Sequence, residues 1–286
     1  MATYNAEFWR VLSEYRANSV SQSFEACLTD SVNIPEGIRG IASASQQNLR
    51  KFLQEECERD SGFPRVLRRA DSDFLGGSFA RHTKTRPLDD IDIYLPLDGA
   101  GLSYFLHGTA QPYTVLTDGL PWNPLLTPRW ANGQYVSSTK LLDEFAAVLK
   151  RRFPQTKIKP GGQAVGIQMT HGQTSTKEGL GYDVVPCFSL RPTQQDDRPF
   201  YLMPDGQGGW MRTNPRLDAA IADLLQEDHC KLFRKVVKLL KYWNSEQLGG
   251  AMNSYFVELS IARVFMERAA KPESISPLSY GVALAF

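Results

Sequence analysis

Residues 89–97, DDIDIYLPL, can be accommodated in a folded chain in few ways. Acids alternating with isoleucines give the two-residue period of a β-strand, in which every second side chain shares a face. Ile91, Ile93 and Leu95 then point one way together with Asp89, and Asp90, Asp92 and Tyr94 point the other. The apolar trio belongs in a core, so Asp90 and Asp92 face the opposite side of the sheet, their Cα atoms roughly 7 Å apart. Asp89 starts on the apolar face and is expected to escape into the preceding turn. Two carboxylates so spaced can converge on a pair of metal ions. An edge strand that carries acids to block aggregation has the same pattern, and the strand alone leaves both open.

Just upstream, Gly76, Gly77 and Ser78 follow a short strand in DFL. Glycine lets backbone approach a phosphate closely, and amide N–H groups with a serine hydroxyl can bind its oxygens. Gly–Gly–Ser is also ordinary turn chemistry. A phosphate cradle twelve residues before paired carboxylates (Ser78 to Asp90) describes nucleotide binding through a metal-bridged triphosphate. A third acid, Asp183, stands in GLGYDVVPCF. An acid in a buried strand is costly unless it is paired or metal-bound, and a salt-bridged or capping aspartate is the alternative there.

Bulk composition narrows the chemistry. The 286 residues suffice for one large domain or two lobes. A formal net charge of +1 gives no strong evidence for a nucleic-acid partner bound through bulk positive charge. No apolar run reaches membrane-spanning length, and the polar N-terminus does not read as a signal peptide. Cys27, Cys57, Cys187 and Cys230 are scattered, which points to a reducing cytoplasm and away from a zinc ribbon. His82, His107, His171 and His229 are equally dispersed. Any bound metal therefore has oxygen ligands, as Mg²⁺ or Mn²⁺ prefers.

Helices are expected over residues 5–15, on Phe8, Leu12 and Tyr15, and from Pro35 to about Glu56, on Ile38, Ile41, Leu49, Phe52 and Leu53. Residues 98–137, rich in Gly, Pro and Trp, show no sustained period and read as a functional loop or a disordered insertion. A helix from Ser138 to Phe153 follows, then strands in AVGIQM and YDVVPCFSL, then a hairpin turned at Asp205–Gly206. Beyond Pro215 the pattern is helical. Strands followed by helices make the chain α+β: a mixed-sheet lobe over 1–213 and a helical C-terminal lobe over 214–286, with the N-terminal helices able to bridge both. In KLFRKVVKLLKYWN, Lys231, Arg234, Lys235, Lys238 and Lys241 fall within an arc of about 120°. The outer cations read as a solvated surface, whereas Lys241 lies at the apolar boundary and could lean into a cleft.

The combination G-S, two residues, R, one residue, T, then R-P-L and D-x-D resembles the polymerase-β-like nucleotidyltransferases. It is carried by Gly77, Ser78, Arg81, Thr83, Arg86, Pro87, Leu88, Asp90 and Asp92, with a later D-V-V-P strand at Asp183 to Pro186. More narrowly, with YLMPDGQGGWMRTNP, LLKYWN and NSYFVELS, residues 75 to about 265 are similar to the bacterial cGAS/DncV-like nucleotidyltransferases, or CD-NTases. The resemblance implies a two-lobed polymerase-β-like nucleotidyltransferase fold. It also implies a metal-dependent enzyme that condenses nucleoside triphosphates into a cyclic di- or trinucleotide signal in anti-phage (CBASS) defence, releasing pyrophosphate.

The same resemblance implies two Mg²⁺ or Mn²⁺ ions on Asp90, Asp92 and Asp183. Gly77, Ser78, Lys241 and Ser254 fall at phosphate, and Tyr255 at a base. Without the family, Asn253 or Ser254 is simply a helix cap. The implied partners are ATP or GTP ahead of pyrimidine nucleotides, and a downstream cyclic-nucleotide effector protein; the protein is expected to be a monomer. Two departures are noted: the long 98–137 segment, which bears on the acceptor pocket, and the closing SYGVALAF, which reads as the interior of a continuing segment, as in a truncated chain. Alternative functions are template-independent transfer to RNA or a small molecule, and a catalytically silent NTP sensor.

Overall fold

The computed structural model describes residues 20–67, 74–106, 113–169, 179–191, 200–269 and 277–286. The helix expected over 5–15, together with His107 and His171, lies outside them.

Along the chain, helix α1 (Val20–Cys27) runs into a π-helical turn (Leu28–Val32), and α2 (Glu36–Arg59) follows. Strand β1 (Phe74–Leu75), the short helical turn α3 (Gly77–Ala80) and strand β2 (Ile91–Pro96) come next. The chain then forms β3 (Tyr104–Leu106), β4 (Tyr113–Val115), a 3₁₀ turn (Pro124–Leu126), β5 (Ala131–Asn132) and β6 (Tyr135–Val136). Helix α4 (Ser138–Arg152) is followed by β7 (Lys157–Gly161), β8 (Ala164–Met169), β9 (Leu180–Ser189), β10 (Tyr201–Pro204) and β11 (Trp210–Thr213). Four helices finish the chain: α5 (Pro215–Asp228), α6 (Phe233–Leu248), α7 (Ser254–Ala269) and α8 (Leu278–Ala285). The fold is α+β with a mixed sheet, as the sequence pattern predicts.

Two compact units divide these elements. The sheet unit comprises Pro35–Ala80 and Pro87–Asp218; the helical unit takes the chain up to Ile34, the Arg81–Arg86 segment and Ala219–Phe286. In the sheet unit, β2 and β9 pair in parallel from Ile91↔Tyr182 to Pro96↔Cys187. Strand β8 runs antiparallel along the other edge of β9. Ile91, Ile93 and Leu95 are fully buried, as their parity requires, and so are Tyr182 and Val184 opposite them. Each such side chain contributes about 1.5–3 kcal/mol by leaving water.

The Tyr182 hydroxyl donates to the Ala42 carbonyl at 3.3 Å, which places α2 over this apolar face. The buried stripe of α2 is Ala42, Gln46, Leu49 and Leu53. Ile38, Ile41 and Phe52 are only half-buried, so the stripe is rotated from the one expected. Ser137 accepts from the Lys140 amide to cap α4, and Lys150, Arg151 and Arg152 meet the negative end of the helix dipole.

The 98–137 segment differs from expectation. Strand β4 pairs with β11 and with β3, so the described part of the segment extends the sheet. Trp130 is fully buried, and its Nε1 donates to the Gly62 carbonyl at 2.9 Å. No period was visible because the strands span only two or three residues each. The expected hairpin is present as β10 and β11, with Pro204↔Trp210 the last pair before the turn. Asp205 Oδ1 accepts from the amides of Gln207 and Gly209, closing a five-residue turn (205–209).

The helical unit is built around Leu28, Val32, Phe233, Val236, Val237, Ile261 and Phe265. Helix α6 starts at Phe233, and Lys231 stands before it with φ 63°.

Candidate active site

Asp92 and Asp183 are register partners across the β2–β9 ladder. Adjacent strands lie about 4.8 Å apart, so the two carboxylates leave the same face of the sheet side by side. Both strands are otherwise almost wholly buried, and these two acids are half-buried. On its other edge Asp183 pairs with Gly166 of β8. A Cβ at Gly166 would stand 3.4 Å from Asp183 Oδ1, an ordinary contact. The edge-strand alternative is excluded for Asp92, because β2 is paired on both sides, with β1 and β9.

Asp89 and Asp90 are exposed and precede the ladder, which starts at Ile91. The Asp89 backbone lies against Gly181, where a Cβ would come within 1.7 Å of its carbonyl oxygen. Asp89 therefore stands in irregular backbone ahead of the strand. Asp90 is one residue short of the strand, so strand parity fixes Asp92 but not Asp90.

The glycines upstream lie on the acidic face. The Gly76 amide donates to the Asp92 carbonyl at 2.9 Å. A Cβ on Gly77 would fall 1.6 Å from Asp92 Oδ2, and the residue has φ 59°. Only glycine fits there, both for the close approach and for the left-handed backbone. Beyond the acids the same face is apolar: Tyr94 stacks on Phe74 at 5.0 Å and packs with Val185, Cys187, Tyr201 and Met203. Burial drives the Cys187 thiol well above its ordinary range, which makes it an inert core group.

The donors on this face are carboxylate oxygens, the set that suits Mg²⁺ or Mn²⁺. Asp92 and Asp183 are aligned for shared ligation. Among the described residues, no three His, Cys, Asp or Glu side chains are drawn together as a closed metal-binding group. A cavity of about 910 Å³, lined in part by Leu97, Leu102, Trp122, Phe188 and Arg191, lies at the C-terminal ends of β2 and β9. Leu97 is five residues from Asp92, roughly 16 Å along the strand. The Trp- and Pro-rich segment thus shapes the end of the sheet away from the acids.

The remaining candidates lie in the helical unit. Lys241 is 7% exposed, and its Nζ donates to Glu258 Oε2 at 2.7 Å. It therefore leans inward, as its boundary position suggests, but onto a carboxylate. Glu258 also accepts from Arg81 Nε at 2.6 Å and from the Thr83 hydroxyl at 3.0 Å. Desolvation opposes the Glu258 charge, yet Lys241 and Arg81 hold its carboxyl below the usual glutamate range. Burial, aided by Arg81 and Lys84, lowers Lys241 against the pull of Glu258.

Ser254 and Tyr255 open α7 and are exposed. The cap is Asn253, whose Oδ1 accepts from the amides of Tyr255 and Phe256. The Arg81 guanidinium lies 5.4 Å from the Tyr255 ring centroid. Glu258 was missed in the sequence, although it stands three residues after Tyr255. Its only local signal was a single acid inside the apolar run from Tyr255 to Leu259.

The outer cations of the basic helix are paired as well as solvated. Lys231 meets Glu227, Arg234 meets Asp223, Lys235 meets Glu25, and Lys238 donates to Asn33. A continuous basic track for RNA is correspondingly weakened.

No protein-family model matches the chain. It is 26% identical over 255 residues to a probable cyclic nucleotide synthase of Bacillus cereus strain VD146, covering 88% of this chain and 72% of that protein. Among solved structures it is similar to CdnC of E. coli MS115-1 with ATP, at TM-score 0.55 and 19% identity, covering 93% of this chain and 69% of that one. A second structure, CdnC of the same strain in complex with HORMA-deltaN, matches at TM-score 0.53 and 21% identity, covering 86% and 64%. The chain shares the fold of these CdnC structures, in keeping with the resemblance carried by the sequence motifs. No described helix is long and apolar enough to cross a membrane.

Proposed function

We propose that the chain is a nucleotidyltransferase that joins nucleoside triphosphates into a cyclic oligonucleotide and releases pyrophosphate. The observation that carries this is the Asp92–Asp183 register pair with the Gly77 backbone pressed against Asp92. A structural aspartate pair has no need of a glycine whose every substitute would collide with it. The similarity to a protein named a cyclic nucleotide synthase, and the fold shared with a CdnC solved with ATP, support this reaction and ATP as a substrate.

Asp90, Asp92 and Asp183 would hold two Mg²⁺ or Mn²⁺ ions, which supply positive charge at the triphosphate and acidify the attacking ribose hydroxyl. The protein's own share is positioning and charge. Sheet hydrogen bonds fix Asp92 and Asp183 side by side. The Gly77 and Ser78 backbone at the start of α3 offers N–H groups to phosphate. The motif resemblance adds Lys241 and Ser254 as phosphate partners and Tyr255 as the base-stacking ring. No side chain is called on to form a covalent intermediate.

Anti-phage signalling, a cyclic-nucleotide effector downstream and an activating protein partner belong to the same proposal. The partner is supported by the HORMA-deltaN complex of CdnC. The test is incubation of the purified chain with labelled nucleotide pairs and Mg²⁺ or Mn²⁺, then phosphatase treatment and mass spectrometry. A phosphatase-resistant cyclic product and stoichiometric pyrophosphate are expected, both abolished by EDTA and restored by excess metal. Extended RNA, or nucleotide binding with no pyrophosphate under any condition, would refute it.

A further inference from the structure

We infer that Glu258 is a positioning residue for nucleotide, holding Lys241 directly and Tyr255 through Arg81; the inference rests on the function proposed above. Glu258 is 3% exposed in α7, and Arg81, Thr83 and Lys241, which bond it, are each at most 7% exposed. Its two oxygens are divided among them. Arg81 Nε donates to Oε1 at 2.6 Å, Lys241 Nζ to Oε2 at 2.7 Å, and the Thr83 hydroxyl lies 3.0 Å from both.

Connection separates this cluster from an ordinary buried ion pair: a single carboxylate serves two buried cations at once. Tyr255 and Glu258, three residues apart on α7, share a helix face. Arg81, fixed by Glu258, lies 5.4 Å from the Tyr255 ring centroid. One carboxylate therefore orders the ammonium assigned to phosphate and the cation against the ring assigned to a base. Lys241 has a flexible four-carbon stem, and of its two acceptors Glu258 at 2.7 Å is the nearer, the Thr83 carbonyl standing at 3.5 Å.

The test is steady-state pyrophosphate release against ATP concentration with the full chain, alongside thermal melting. Glu258→Gln keeps the shape but removes the charge. It should raise KM for nucleotide about tenfold while kcat stays within about threefold. Lys241→Met should raise KM similarly, and the double variant should be no worse than the weaker single, because the two residues act as a unit. Glu258→Asp, which retains the charge, should recover part of the loss. A purely structural role predicts a lowered melting temperature with unchanged KM, or additive effects of the two substitutions, and either overturns the inference. Should Glu258→Gln fail to fold, Thr83→Val removes one donor and no charge; a KM rise of about threefold supports the inference and an unchanged KM overturns it. A wild-type chain that releases no pyrophosphate refutes the function itself, and that result is read before any variant is compared.

Discussion

Gly77→Ala separates two effects that usually arrive together. Gly77 has φ 59°, and an added Cβ would lie 1.6 Å from Asp92 Oδ2 and 2.8 Å from its Cγ. Left-handed backbone costs an alanine about 1–2 kcal/mol. That strain alone should lower the melting temperature by a few degrees, at roughly 2–4 °C per kcal/mol for a chain of this size class. The collision cannot be absorbed by the backbone, because the Gly76 amide is bonded to the Asp92 carbonyl. The Asp92 carboxylate must therefore move by more than 1 Å, and a displacement of that size in a positioned group can lower the rate about 100-fold.

Gly133→Ala is the matched control. Gly133 has the same φ of 59° with nothing within 4 Å of its would-be Cβ. Both variants carry the same backbone strain, so Gly77→Ala should lose at least as much stability by calorimetry, and only it should lose pyrophosphate release, by about 100-fold. Turnover in Gly77→Ala within threefold of Gly133→Ala would refute the assignment of this backbone to the site.

Asp92→Asn and Asp183→Asn should each abolish pyrophosphate release while leaving the melting temperature equal to or above wild type, since each relieves repulsion within an adjacent carboxylate pair; a marked fall in melting temperature would make the pair structural. Glu258 gives a pH signature. Its carboxyl is held below the usual glutamate value of 4.5, so the unfolded chain takes up the proton first and the stabilisation is complete above that value. The stability gap between wild type and Glu258→Gln should be constant toward neutral pH and shrink as pH falls below 4.5, and a gap unchanged down to pH 3 would contradict this. Trp130→Phe removes the donor to the Gly62 carbonyl and leaves a void, which should cost about 2–4 kcal/mol in chemical denaturation, with release at 25 °C unchanged.

How far the sequence reached depended on the range of the interaction concerned. Strand parity is set by neighbouring residues, so the burial of Ile91, Ile93 and Leu95 and the outward face of Asp92 were legible without a structure. So were the helices Glu36–Arg59 and Ser138–Arg152 and the hairpin after Tyr201, because each carries local signals: Pro35 with apolar spacing, the Ser137 cap, and turn residues. Segment 98–137 was not legible, since two- and three-residue strands show no period and take their place from β11. Nor were the pairings of Lys235 and Lys238, whose partners Glu25 and Asn33 are some two hundred residues away.

The motif named Asp183, but only the parallel ladder makes it the register partner of Asp92. Lys241 could be seen leaning toward an apolar boundary, yet the carboxylate that receives it also holds Arg81 and Thr83, 177 and 175 residues earlier in the chain. The sequence by itself determined which faces must be buried and where carboxylates could gather, because those follow from local periodicity. Tertiary structure alone decided which charge meets which, because buried ionic partners are selected by desolvation and packing across long separations.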